Sequence, residues 1–221
     1  MSRQLPLHLP LRPALGRESL IVTPCNAMAM AVLDDCKRWP EGKLTLCGAS
    51  GAGKTHMAHV WAGDVDAKIV NACDLKIEDV PGIVKGPRVI ENIQDVAGDR
   101  EAETTLFHLH NLMRADEQLM LFTSDRAPAH LPFVLPDLKS RLEATALVTL
   151  EGMDDMLLTM LIVKLFTDRQ LPVKQAMLDY TVKRIDRSFA AVQAFVEKMD
   201  KRALAGKRKV NRALAKEVLA S

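Results

Sequence analysis

Aromatic residues are scarce in this chain. One tyrosine, two tryptophans and six phenylalanines make up 4% of its 221 residues. Stacking of successive bases on aromatic platforms is therefore not expected as a main activity, and the core must rest on Leu, Val, Ile, Met and Ala. The four cysteines, at 25, 36, 47 and 73, form no CxxC pair. That spacing suggests neither a zinc site nor a dithiol redox motif, and it fits a reducing cytoplasm. An excess of charge of one sign is lacking too. Thirty basic residues face 28 acidic ones, for a formal net charge of +2, so bulk electrostatics argue neither for nor against nucleic acid. No apolar run approaches the ~18 residues of a membrane span. The richest stretch, 156–166, is broken by Thr159 and Lys164 and reads as a broad-faced buried helix. Pro6, Pro10 and Pro13 interrupt the apolar N-terminus, and no small-residue cleavage site follows, so a signal peptide is not expected.

What is present is a regular alternation. Short apolar strands are expected at 43–47, 67–70, 88–90, 118–123 and 146–150. Helices are expected at 26–38, 54–63, 100–114 and 138–142. Strands alternating with helices predict a five-stranded parallel sheet covered on both faces. After Gly152 the pattern becomes wholly helical, with helices at 154–168, 174–184 and 188–203 and a short one at 210–219. The expected organisation is an extended tail at 1–16, an α/β domain at 17–152 and a helical lid at 153–221. The length allows one domain with a small appendage. Residues 201–216 hold Lys201, Arg202, Lys207, Arg208, Lys209, Arg212 and Lys216 without an acid among them. That is either a solvated helix face or a strip that contacts phosphates.

The strongest local signal is the run Gly48, Ala49, Ser50, Gly51, Ala52, Gly53, Lys54, Thr55. It follows a predicted strand and opens a predicted helix, the context that G-x-x-x-x-G-K-T requires. The glycines let backbone N–H groups turn inward around phosphates, and the helix N-terminus adds partial positive charge. Lys54 is expected on the β- and γ-phosphates of ATP or ADP, and Thr55 on Mg²⁺. Glu91, at the end of the third strand, is the candidate second holder of Mg²⁺. Asn92 stands where many ATPases place the acid that polarises the attacking water, and an amide cannot accept that proton. Good binding with weak intrinsic hydrolysis is the expectation. Ser124 and Asp125, at the end of the fourth strand, are candidates for sensing the γ-phosphate.

In order along the chain, the stretches CGASGAGKTHMAHVWA, RVIENIQDVAGD, TTLFHLHNLM, LFTSDRAP, LPDLKSRLEA and VKRIDRSFAAV resemble the DnaA-related AAA+ family. The likeness is greatest to its Hda group, whose members inactivate the bacterial replication initiator. The resemblance spans nearly the whole chain and implies several roles. Arg141, in DLKSRL, matches the arginine that reaches ATP bound by a neighbouring subunit. Ala190 stands where family members carry a lid arginine that touches their own nucleotide, which again weakens self-hydrolysis. Gln4, Leu5, Leu7 and Leu9 resemble the peptide by which the Hda group binds the polymerase sliding clamp, with Pro6 and His8 as departures from its usual form. The chain stops at Ser221 after the lid, so the initiator's DNA-binding helix-turn-helix is not expected. The implied partners are a DnaA-type initiator, the sliding clamp and further copies of the chain, with DNA at most a weak or indirect one. A helicase-loader-like or DNA-remodelling ATPase is the alternative.

Overall fold

The computed structural model describes residues 16–206 and 208–220. Gln4, Leu5, Leu7 and Leu9 lie outside the described residues, as does Lys207 of the basic strip. Five strands form one sheet: β1 (Lys43–Cys47), β2 (Lys68–Asn71), β3 (Arg88–Glu91), β4 (Met120–Ser124) and β5 (Ala146–Thr149). Their spatial order is β2-β3-β4-β1-β5, and every pairing is parallel. The helices are α1 (Pro24–Asp34), α2 (Lys54–Val65), α3 (Val80–Ile83), α4 (Arg100–Ala115), α5 (Pro136–Glu143), α6 (Asp155–Thr167), α7 (Gln175–Val182), α8 (Phe189–Gly206) and α9 (Arg212–Leu219). No helix among the described residues is long and apolar enough to cross a membrane.

The sheet is covered on both faces because its strands alternate two apolar sets. Leu44, Leu46, Val89 and Leu121 pack with α1 and α2. Ile90, Met120 and Phe122 pack on the other side with Leu106, Leu109 and Met113 of α4 and Leu138 and Leu142 of α5. The C-terminal helices build a separate core around Leu158, Ile162, Phe166, Met177, Val196 and Leu214. Phe166 and Phe195 meet edge to face there, with centroids 6.3 Å apart.

Several boundaries differ from the sequence reading for local reasons. The first helix starts earlier, at Pro24, because Thr23 and Asn26 form a reciprocal capping box with Pro at the first helical position. It ends at Asp34, and Cys36–Arg38 continue only as a 3-10 turn. The fourth strand begins at Met120 rather than 118, because Glu117 takes a left-handed conformation. There the Gln118 N–H donates to Met113 O, closing the turn from α4. The unassigned stretch after β2 forms 3-10 turns at Ala72–Asp74 and Ile77–Asp79 and then α3, with Val80 and Val84 buried beside α4.

Candidate functional site

β1 is the central axis of the site. Its ladder sets Cys47 opposite Ser124 of β4 on one side and Thr149 of β5 on the other. Gly48 N–H then donates to Ser124 O (3.2 Å), and Leu150 N–H donates to Cys47 O (2.7 Å). A Cβ on Gly48 would lie 2.7 Å from the Leu150 carbonyl oxygen, so a side chain is excluded there. Gly51 has φ +81°, and a Cβ on it would meet Ser188 Cβ at 2.5 Å. The loop therefore sits between the sheet and the start of α8. Beyond Gly53 the chain enters α2.

Lys54 closes the loop on itself. Its Nζ donates to Gly48 O (2.6 Å) and Ala49 O (3.0 Å). Partial burial pushes its pKa below the ordinary lysine value, and the carboxylate of Asp125 acts in the opposite direction. An ammonium held by two neutral carbonyls at the mouth of a helix N-terminus can exchange those partners for phosphate oxygens.

The neighbouring strand ends converge on the same side. Glu91 ends β3, and its Oε1 is buried with no hydrogen-bond partner among the described residues. A buried carboxylate oxygen without a donor suits a hydrated divalent cation. Thr55, at the first turn of α2, is exposed and can offer the hydroxyl side of such a site. Asn92 has φ +60° and donates its N–H to Thr123 Oγ1 (3.0 Å), which fixes the turn that leaves β3. The Asp125 N–H donates to Gln94 Oε1 (3.2 Å), tying that turn to the end of β4. Ser124 is fully buried, and its Oγ accepts the Arg126 N–H (3.4 Å). Asp125 points to Arg126, in contacts of 3.0 and 2.8 Å that hold its carboxyl below the usual range. Of these two residues, Asp125 is the one that electrostatically couples to Lys54.

An apolar cleft adjoins the loop, and sequence reading missed it. It is lined by Leu20, Ile21, His56, Met57, Leu161 and Phe189, drawn from the N-terminal segment, α2, α6 and α8. His56 Nε2 is hydrogen-bonded to Ser19 Oγ (3.1 Å), and its ring meets Phe189 edge-on with centroids 6.1 Å apart. Burial lowers the pKa of His56, favouring the neutral ring. A flat heteroaromatic group fits a cleft that is apolar with few polar edges. The only local signal was His56, two residues after Lys54. The other walls come from segments more than 100 residues apart. Arg187 does not enter this cleft: it donates to Met153 O (2.9 Å) and pairs with Asp155. Ala190, on the first turn of α8, is exposed.

Arg141 lies elsewhere. Arg141, on the last turn of α5, lines a small cavity with Lys43, Glu41, His110 and Thr145 at the amino end of β1. Lys43 and Cys47 are separated by the length of β1, ~13 Å at strand rise. Arg141 therefore stands at the opposite end of the sheet from its own loop. It is half-buried and makes no hydrogen bond or ion pair among the described residues. Its neighbour His110 is buried against Phe122, and its Nδ1 has no described partner. Burial, and then the charges of Lys43, Arg141 and Arg114, push the His110 pKa down to about 4.

A parallel sheet in this order, a phosphate loop after β1 and a following helical unit define an AAA+ P-loop NTPase fold. The resemblance can be made more particular. The family model described as "Bacterial DnaA ATPAse domain" matches residues 87–149, the span from β3 to β5 that carries Glu91, Asn92, Asp125 and Arg141. Domain III of the replication initiation protein DnaA from Thermotoga maritima superposes with a TM-score of 0.80 at 20% identity, covering 96% of this chain and 98% of that one. AMPPCP-bound DnaA from Aquifex aeolicus gives 0.75 at 20% identity, with 89% and 68% covered. The Holliday junction branch migration motor RuvB of Thermotoga maritima gives 0.70 at 16% identity, with 89% and 67% covered. The chain thus has the DnaA-like AAA+ fold.

Proposed function

We propose that this protein is a regulatory AAA+ protein acting in the manner of Hda: it accelerates hydrolysis of ATP held by a DnaA-type initiator and so restrains replication initiation. Its own loop holds ATP or ADP, with Lys54 and the amides of 48–55 on the phosphates. Thr55 and Glu91 would hold Mg²⁺, which would supply neutralisation of phosphate charge. The apolar cleft beside His56 takes the base. Asn92 offers no proton-accepting side chain, so the chain is a poor hydrolase of its own nucleotide. Gln4, Leu5, Leu7 and Leu9 dock on the sliding clamp as an extended peptide.

One observation carries the reading: Arg141 makes no hydrogen bond or ion pair among the described residues and stands a strand's length from its own phosphate loop. It cannot serve the nucleotide of its own chain. It can serve one bound by a neighbour packed against that end of the sheet, where an arginine finger is worth ~10³–10⁵ in rate. The basic strip supports a DNA role less well. Arg208 is spent on Glu217 in two 2.8 Å contacts, and Arg212 lies over the Tyr180 ring.

The test is single-turnover hydrolysis of ATP prebound to DnaA, with clamp loaded on DNA, with and without this protein. Strong stimulation that disappears without clamp, and on Gln4→Ala with Leu5→Ala, is expected. Absence of stimulation, together with strongly salt-dependent DNA binding, would instead favour a loader-like or DNA-remodelling ATPase.

A further inference from the structure

Glu103 is a carboxyl with no access to solvent, on the first turn of α4. Burying such a group is costly unless it is fully hydrogen-bonded, and the partners of Glu103 are unusual in their origin. Oε1 accepts the N–H of Gly98 (2.7 Å) and of Val134 (3.0 Å). Oε2 accepts the N–H of Val134 (3.0 Å) and of Leu135 (2.6 Å). Gly98 closes the connection that leaves Glu91 and Asn92 through the 3-10 turn Ile93–Val96, and directly precedes Asp99, the N-cap of α4. Leu135 is the N-cap residue of α5, the helix whose last turn carries Arg141. The Gly98 bond folds the first turn of α4 back on the residue before its N-cap, Asp99, which itself accepts the N–H groups of Glu101 and Ala102, whereas the Val134 and Leu135 bonds reach a different element. One side chain thus joins the edge of the phosphate site to the root of the arginine helix.

The rest of the route is continuous. The turn after β3 is pinned to β4 by the Asn92–Thr123 and Gln94–Asp125 bonds. α5 is eight residues long, ~12 Å at helical rise, and its Leu138 and Leu142 are buried against α4. A packed helix of that length moves as a rod, so a small shift at Leu135 reappears at Arg141.

The geometry points to Glu103 as the positioning residue for Arg141, transmitting occupancy of the chain's own nucleotide site to the arginine helix through Gly98, Val134 and Leu135. This rests on the reading of Arg141 as a finger. The link itself concerns only this chain and is tested without the initiator.

The experiment is hydrogen–deuterium exchange of the full chain with and without Mg·ADP, for wild type and Glu103→Gln. Gln keeps the shape but presents an N–H₂ group to amides that themselves donate, so one set of bonds is lost. In wild type, Mg·ADP should slow exchange at residues 48–55 and, at least fivefold, at Gly98, Val134 and Leu135. In the variant, protection at 48–55 should remain and the response at 134–135 should vanish. An unchanged response in the variant, or none in wild type, overturns the proposal. Should Glu103→Gln fail to fold, Glu103→Asp, which is one methylene too short to span both loops, carries the same readout.

In the initiator assay the variant should lower the maximal stimulated rate at least tenfold at unchanged half-saturating concentration. A raised half-saturating concentration with an unchanged maximal rate would mean that Glu103 supports a contact surface, and would also overturn it. If the exchange link holds while Arg141→Ala stimulates normally, the finger reading fails and the link stands.

Discussion

The two ends of β1 follow different rules. At its carboxyl end, eight consecutive residues make a loop whose chemistry is local: Gly48 and Gly51 with no room for side chains, a lysine folded over the carbonyls of Gly48 and Ala49, and a helix mouth. At its amino end, Arg141, Lys43 and His110 come together from three elements that the sequence separates by up to 98 residues. The first end is built to hold an anion within the chain. The second collects positive charge, with Lys43 spent on the carbonyls of Glu41 and Gln118 and Arg141 left unspent among the described residues. The first end is encoded in a short motif, whereas the second, which on the proposed reading serves a neighbour, depends on how whole elements pack.

The largest effect that separates the two ends should come from Arg141→Ala, which is expected to cost ~10³ in stimulated hydrolysis of initiator-bound ATP. Arg141→Lys should not rescue it, because an ammonium lacks the planar fork of donors. Single-turnover rates decide both.

Next is the pH dependence set by His110. Its folded pKa of about 4 lies below the ordinary value, so the native state prefers the neutral ring. The unfolded chain binds the proton more readily between those values. Stability is therefore fully present above about pH 6.5 and is lost as pH falls toward 4, by up to about 3 kcal/mol. Urea midpoints across that window should fall in wild type and flatten in His110→Phe; a wild-type curve that is flat between pH 7 and 4.5 would remove His110 from the account.

At the carboxyl end, Lys54→Ala removes a charge-assisted contact of ~1.5–3 kcal/mol. Calorimetry should show ADP affinity falling about 10- to 100-fold, with the melting midpoint nearly unchanged. The smallest effect is Gly51→Ala, where a left-handed φ and the 2.5 Å approach to Ser188 Cβ both resist a methyl group. A strained backbone position costs about 1–3 kcal/mol. Combining it with Ser188→Gly should recover the part that is steric. Equal losses in the single and double variants would mean that backbone strain alone is responsible.

The same contrast explains what was legible in the sequence. The strand at 43–47 and the helix opening at Lys54 were readable because apolar alternation, glycine placement and a helix start coincide within a dozen residues. The parallel sheet covered on both faces followed from the alternation of strands with helices. Arg141 was legible only through family resemblance, since one arginine on an eight-residue helix has no intrinsic signature. The cleft around His56 and Phe189 and the bonds from Glu103 to Val134 and Leu135 were not legible, because each joins residues more than 30 positions apart. Nor did Ser124 announce its burial, which the packing of β4 between β1 and β3 sets.

The claim that the two ends serve two different nucleotides is tested most directly by the ADP dissociation constant of Arg141→Ala measured beside that of wild type. The account predicts values within twofold of each other, because Arg141 is a strand's length from its own phosphate loop. A tenfold or greater loss of the chain's own ADP affinity would place Arg141 in its own site and contradict it.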